Sequence, residues 1–294
     1  PDGMAVHDAL DLFRQNPQVE FAEPNYYRHI RATPNDTNYS SLWGLPKINA
    51  PGGWDVSTDC GSAVVAVIDT GVDYTHPDLA ANIWTNTDEI AANGIDDDAN
   101  GKIDDTRGWD FVYDDNNPMD GNGHGTHVAG IIGAVGNNAR GVTGICWNAK
   151  IMILRAFDAS GSATVADTIE AMDYALQNGA KVINASYSDT QFSQAEYDAI
   201  ALLNSAGILF ITAAGNETTD NDQTPSYPAN YDLPNIIAVT ATDSSDRLAS
   251  YSNFGRSTVD VAAPGSSIYS TYMSELAALT VQDFESGTAG WTLN

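Results

Sequence analysis

From about residue 60 onward the chain alternates between short apolar runs and stretches with helical spacing. Runs rich in apolar and β-branched residues fall at 63–68, 150–154, 181–183, 207–212, 235–241 and 258–263. Helical periodicity occupies 126–135, 165–178 and 193–206. Continuous apolar strands have no polar face to offer water, so they need cover on both sides. The pattern therefore predicts an α/β fold: a doubly wound, mostly parallel sheet with helices on both faces. In such sheets ligands bind beyond the carboxyl ends of the strands. That points to Asp69, to residues 184–188 and to residues 213–216, each of which directly follows an apolar run.

The first 31 residues follow another pattern. "HDALDLFRQNPQVEFAEPNYYRHI" reads as a short helix carrying Leu10 and Phe13, a stop at Asn16-Pro17, and a strand through Val19 and Phe21. The unit is too short to hold a core of its own. Residues 32–41, "ATPNDTNYSS", read as an exposed linker.

Composition narrows the function classes. With 39 acidic against 12 basic residues the net charge is −27, which repels nucleic acid and anionic membranes alike. The acidity favours a secreted protein that binds divalent cations, although a solvated acidic surface accounts for much of it. No apolar run reaches membrane-spanning length, and no signal peptide opens the chain, so its start reads as trimmed. Cys60 and Cys146 each lie a few residues before an apolar strand. A bridge between them in an oxidising compartment and two free buried thiols are equally compatible with that placement. A monomer is the default expectation.

Two residues stand out for chemistry. Asp69 ends an apolar strand and is followed by Thr-Gly; a carboxylate buried there needs a partner. His124 lies in "GNGHGTHVAG", where glycines lead into an apolar helix and permit close backbone approach. An aspartate held against a histidine fixes the imidazole tautomer and stabilises the imidazolium, as general-base catalysis requires. Taken singly, Asp69 is also compatible with a strand-end cap, and His124 with His127 with a helix-face pair or a weak metal site.

In order along the chain, "VIDTGVDYTHPDL", "GHGTHVAG", "ITAAGN", "RLASYSNFG" and "VDVAAPG" resemble motif blocks of the subtilisin-like serine peptidases, the subtilases, over about residues 42–270. The resemblance implies that Asp69 orients the imidazole, that His124 is the general base, and that the Asn216 side chain donates to the oxyanion. It implies that 159–163 (with Ser160, Gly161 and Ser162) and 185–189 (with Ser186, Tyr187 and Ser188) pair with an extended polypeptide substrate by strand addition, beside Ala213, Ala214 and Gly215. Subtilases usually carry Gly where this chain has Ser188, which implies a narrower or more polar primary pocket. Through "NPQVEFAEPNYY", residues 1–31 resemble the end of the family's inhibitory propeptide, with cleavage expected near 31–35. The chain's own propeptide is thus a second expected partner.

"DDDANGKIDD" suggests a metal site without any family. Asp96, Asp98, Asn100, Gly101 and Asp104 occupy positions 1, 3, 5, 6 and 9 of a calcium loop, with the Lys102 carbonyl at position 7 and Ile103 at the buried position. Arg107 replaces the usual Glu at position 12, so the bidentate ligand is expected from elsewhere, with Asp105 as the candidate. Many subtilases carry calcium in this insertion, where it staples a surface loop.

One block is missing. In the family, "VDVAAPG" leads within one or two dozen residues to Gly-Thr-Ser-Met-Ala-x-Pro, whose serine is the nucleophile. This sequence has no such block. "ESGTAGW" at 285–291 comes nearest, with Ala289 in the nucleophile's place. The preferred reading is that the peptidase domain spans 42–274 and is incomplete, with a segment lost between Ser274 and Glu275. Residues 275–294 then read as an atypical tail opening a β-rich accessory domain. The expectation is an endopeptidase by family that is inactive as this chain. The alternatives are a non-catalytic peptide binder and a calcium-binding surface module.

Overall fold

A computed structural model describes residues 4–26 and 32–273 and the backbone of a two-residue strand at 281–282. The chain divides into two units, 1–31 and 32–294. In the first, α1 spans Val6–Arg14 and buries no residue. The strand expected through Val19 and Phe21 does not form. The Val19 amide turns back to the Asn16 carbonyl at 2.9 Å, and the described residues of this unit contain no second strand to complete a ladder.

The second unit holds a seven-stranded sheet. Its strands are β1 (Val65–Asp69), β2 (Gly108–Asp110), β3 (Ile151–Arg155), β4 (Val182–Ala185), β5 (Leu209–Ala213), β6 (Ile236–Thr242) and β7 (Val261–Pro264). Their order is β2-β3-β1-β4-β5-β6-β7, and every pairing is parallel. β8 (Ile268–Tyr269) pairs antiparallel with β9 (Val281–Gln282). The helices are α2 (Gly44–Lys47), α3 (Ala50–Trp54), α4 (His124–Gly133), α5 (Val165–Gln177) and α6 (Gln194–Ser205).

Side-chain alternation along the central strands builds a core on each face. Ala66 and Ile68 of β1, with Met152 and Leu154 of β3, pack against Ala171 and Met172 of α5 and Ile200 and Leu203 of α6. Val67, Ile151 and Ile153 point the other way, to Val128 and Ala129 of α4 and to Leu45 and Trp54 of α2 and α3. The predicted doubly wound architecture is thus what the chain adopts. Local signals set the helix ends: a capping box between Thr164 and Asp167 opens α5, and the Ser193 hydroxyl caps α6.

Three features differ from or settle the sequence reading. Residues 32–41 belong to the second unit and are not simply exposed: Asp36 is buried and accepts the Asn137 amide at 2.7 Å. A polar segment can be buried when folded neighbours supply a donor for each charge. β2 was not predicted, because three residues beginning with glycine carry no periodicity. Cys60 and Cys146 form a disulfide across the segments entering the adjacent strands β1 and β3. Among the described residues no helix is long and apolar enough to cross a membrane. Apart from the backbone of β9, the tail at 275–294 and the serine-block region lie outside the described residues.

Candidate active site

β1 carries Asp69 to the carboxyl edge of the sheet with 3% of its surface exposed. Its carbonyl accepts the amides of Ala156 and Phe157 at 3.0 and 3.1 Å, which ties the strand end to the segment after β3. Across from it, α4 begins at His124, whose Nδ1 lies 2.7 Å from Asp69 Oδ1. Two glycines make the approach possible. Gly123, at φ 107°, lies in the left-handed region, and the Tyr272 ring occupies the space of any side chain there. At Gly125 a Cβ would run into the Gly71 carbonyl, so α4 can reach β1 only without one.

Electrostatics at the pair follow from burial and charge. Burial acts most strongly on the His124 imidazole and favours neutrality. The charge and hydrogen bond of Asp69, aided by the charge of Asp120, outweigh it and raise the imidazole above its ordinary value. His127, one turn on, is fully buried with Nε2 3.2 Å from the Ile268 carbonyl. Burial pushes it down to about 4, so it is neutral at pH 7. The two histidines therefore sit in different environments.

The other predicted residues gather along the same edge, since β4 and β5 follow β1 in the sheet. Ser186, Tyr187 and Ser188 follow directly on β4; the Tyr187 ring turns inward, its hydroxyl reaching Glu196 Oε1 at 3.2 Å. Ala213 ends β5, and the Ala214 amide donates to the Val239 carbonyl at 2.9 Å. Gly215 adopts φ 117°, and Asn216 is exposed just beyond it. Asn253 braces this turn: its amide donates to the Gly215 carbonyl at 2.9 Å and its Nδ2 to Ala214 at 3.2 Å. Ser160, Gly161 and Ser162 are arranged differently. They lie in a compact turn in which the Asp158 amide donates to the Ser162 carbonyl at 2.9 Å and the Gly161 amide to the Asp158 carbonyl at 3.0 Å. Those backbone groups are already paired within the turn.

Comparison with known proteins decides the family. A family model described as the subtilase family, peptidase S8, matches residues 61–290. This chain is a subtilase. It is 41% identical over 267 residues to the thermophilic serine proteinase of Bacillus sp. strain AK1, covering 90% of this chain and 60% of that relative. Thermitase of Thermoactinomyces vulgaris is 42% identical over 241 residues, covering 82% and 76% of the two chains. Halolysin of Haloferax mediterranei is 35% identical over 272 residues, covering 91% of this chain and 47% of halolysin. The crystal structure of a cold-adapted subtilisin-like serine proteinase superposes with a TM-score of 0.60 at 30% identity, covering 80% of this chain and 76% of that one. The subtilase fold and the sheet order described above agree.

The acidic loop of this subtilase is arranged differently from a simple calcium-loop register. Glu89, Asp96 and Asp98 bring ligand oxygens within 4.8 Å of one another. Asn100 stands beside them, its amide 3.0 Å from Asp98 Oδ1. Glu89 was not anticipated, because it lies outside the motif. Asp104, at φ 57°, turns its carboxylate to the amides of Asn93 and Gly94 at 3.0 and 3.1 Å. Asp105 is fully buried and accepts from Asn86, Asn100 and the Tyr174 hydroxyl. Lys102 pairs with Asp114 at 3.0 Å, and Ile103 is 48% exposed instead of buried. The loop follows its own carboxylate-to-amide bonds, which the position-by-position pattern did not capture. Three carboxylates form a hard-oxygen donor set, which suits calcium.

Proposed function

We propose that this subtilase has the groove and base of a secreted serine endopeptidase that hydrolyses peptide bonds, and that the 294-residue chain itself does not turn over. The observation that carries the reading is the 2.7 Å contact between Asp69 and His124 at the carboxyl edge of the sheet. With Nδ1 engaged by Asp69, Nε2 is the nitrogen that takes a proton from a nucleophile and returns it to the leaving amine. Asn216 is the oxyanion donor, and the segment Ser186–Ser188 the edge on which a polypeptide lies. The sequence contains no Gly-Thr-Ser-Met-Ala block. Without a nucleophile only the residual effects of oxyanion binding and positioning remain.

Residues 1–31 act as the propeptide end, and the cluster of Glu89, Asp96 and Asp98 holds calcium that staples the loop. A peptide-cleavage assay on the purified chain tests the reading. No turnover above background is expected, and family-like turnover overturns the inactivity. If restoring a Gly-Thr-Ser-Met-Ala helix after Ser274 fails to produce turnover, the assignment of Asp69 and His124 as the base falls.

A further inference from the structure

Asp120 is 6% exposed and belongs to neither the Asp69–His124 contact nor the acidic loop. Its two oxygens take five hydrogen bonds. Oδ1 accepts the Thr70 hydroxyl at 2.8 Å and the amides of Asn122 and Gly123 at 2.9 and 2.8 Å. Oδ2 accepts the Thr126 amide and hydroxyl at 2.9 and 2.6 Å. Thr70 follows Asp69 directly, and its Oγ1 also accepts the amide of Gly125, the residue after His124, at 3.0 Å. Gly123 offers α4 no capping side chain, so Asp120 satisfies the first-turn amide of Thr126 from outside the helix.

We infer that Asp120 is the positioning residue of the base pair, joining the exit of β1 to the first turn of α4 and so setting the distance between Asp69 and His124. The inference rests on the proposed role of that pair. A neutral isostere cannot replace it: an asparagine amide would aim its own donors at Thr126 or at the three donors on Oδ1. Its charge also acts on His124 and favours the imidazolium. Burial, opposed by the hydrogen bonds from Gly123, Thr126 and Asn122, raises the Asp120 carboxyl, so this charge is lost at a higher pH than for an exposed aspartate. Among the described residues, the other charged or titratable groups around the pair include Asp73 after β1, His127 on α4, Tyr272 over Gly123, and Arg155 at the end of β3. Arg155 is itself paired with Asp110 at 2.8 Å.

The test is nitrogen-labelled NMR of the full 294-residue chain, following the His124 titration and the low-field Nδ1 proton, with His124→Gln for assignment. Asp120→Asn is expected to lower the His124 midpoint by about one pH unit and to abolish the low-field proton. Thr70→Val keeps the Asp120 charge and cuts one link; it is expected to broaden the low-field proton while moving the midpoint less than half as far. A folded Asp120→Asn chain with both signals unchanged overturns the inference. If Asp120→Asn does not fold, an unchanged Nδ1 proton in Thr70→Val overturns it. These signals need no turnover, so a failed cleavage assay on a repaired chain bears on the proposed reaction and not on Asp120.

Discussion

Asp69 and Asp98 both sit among several donors, yet their positions come from different sources. Asp69 is the last residue of a central strand flanked by β3 and β4, and the helix it meets is packed against the same sheet. Its place is set by a core that forms whatever the state of its charge. Asp98 lies in a loop whose shape comes from carboxylates binding nearby amides: Glu89 takes the amides of Asp97, Asp98 and Asp104, and Asp96 those of Asn100 and Gly101. The pair thus rests on a packed sheet and helix, which Asp120 ties together, whereas the loop is a product of charge alone. The loop brings three carboxylates together with no cation side chain among them, a charge that the proposed calcium would neutralise. Perturbing packing should damage the first region, and perturbing cations the second.

The largest effect is expected at the approach of α4 to β1. Gly125→Ala forces a methyl group against the Gly71 carbonyl, and urea unfolding should show a loss of at least about 3 kcal/mol. A loss under about 1 kcal/mol would mean that the helix can slide and that the pair is not fixed by packing.

Acid comes next. His127 has a folded-state value of about 4 against 6.5 for the ordinary imidazole, so between these the unfolded chain binds a proton that the native chain refuses. Stability is full above pH 6.5 and declines toward pH 4, by about 3 kcal/mol in total. His124 works in the opposite direction: its raised value contributes stability below pH 6.5 that is lost as pH climbs through the folded value. Unfolding curves at pH 7.5 and 4.5 at fixed calcium, for the native chain and for His127→Gln, separate the two; an unchanged slope in the variant removes His127 as the source.

Calcium removal should act on the loop alone. Chelation is expected to cost about 2.7 kcal/mol relative to calcium at a hundred times its Kd. Amide exchange should quicken in residues 86–105 but not around Asp69. Equal loosening in both regions would erase the contrast drawn between them. The smallest effect is expected at their junction, where the Tyr174 hydroxyl of α5 donates to Asp105 at 2.6 Å. Tyr174→Phe leaves a buried carboxylate one donor short and should cost about 1–2 kcal/mol, read as a small drop in the unfolding midpoint. A midpoint unchanged within error would show that loop and sheet are not coupled there.

Much of this was legible in the residues. Six of the seven sheet strands and the three long helices followed from apolar runs and helical spacing, because burial on both faces leaves a strong mark on composition. Asp69 and His124 could be named because the blocks that carry them, "VIDTGVDYTHPDL" and "GHGTHVAG", resemble those of the subtilases. The strand at Val19 and Phe21 misled, since alternation states what a strand could bury and not whether a neighbour exists. The calcium register misled at Ile103, which is exposed, since spacing assumes a loop conformation that the surrounding amides replaced.

The chain alone determined the layered sheet and the order of its strands' signals, because these depend on local pattern, and its motif blocks pointed to Asp69 and His124 by resemblance. Tertiary structure alone decided the rest. Asp120 meets Thr70 from fifty positions away, Asn253 braces a turn nearly forty residues upstream, and Cys60 finds Cys146 across two strands. A partner's distance along the chain carries no signal of its own, and only packing brings such groups within the few ångströms at which a hydrogen bond acts.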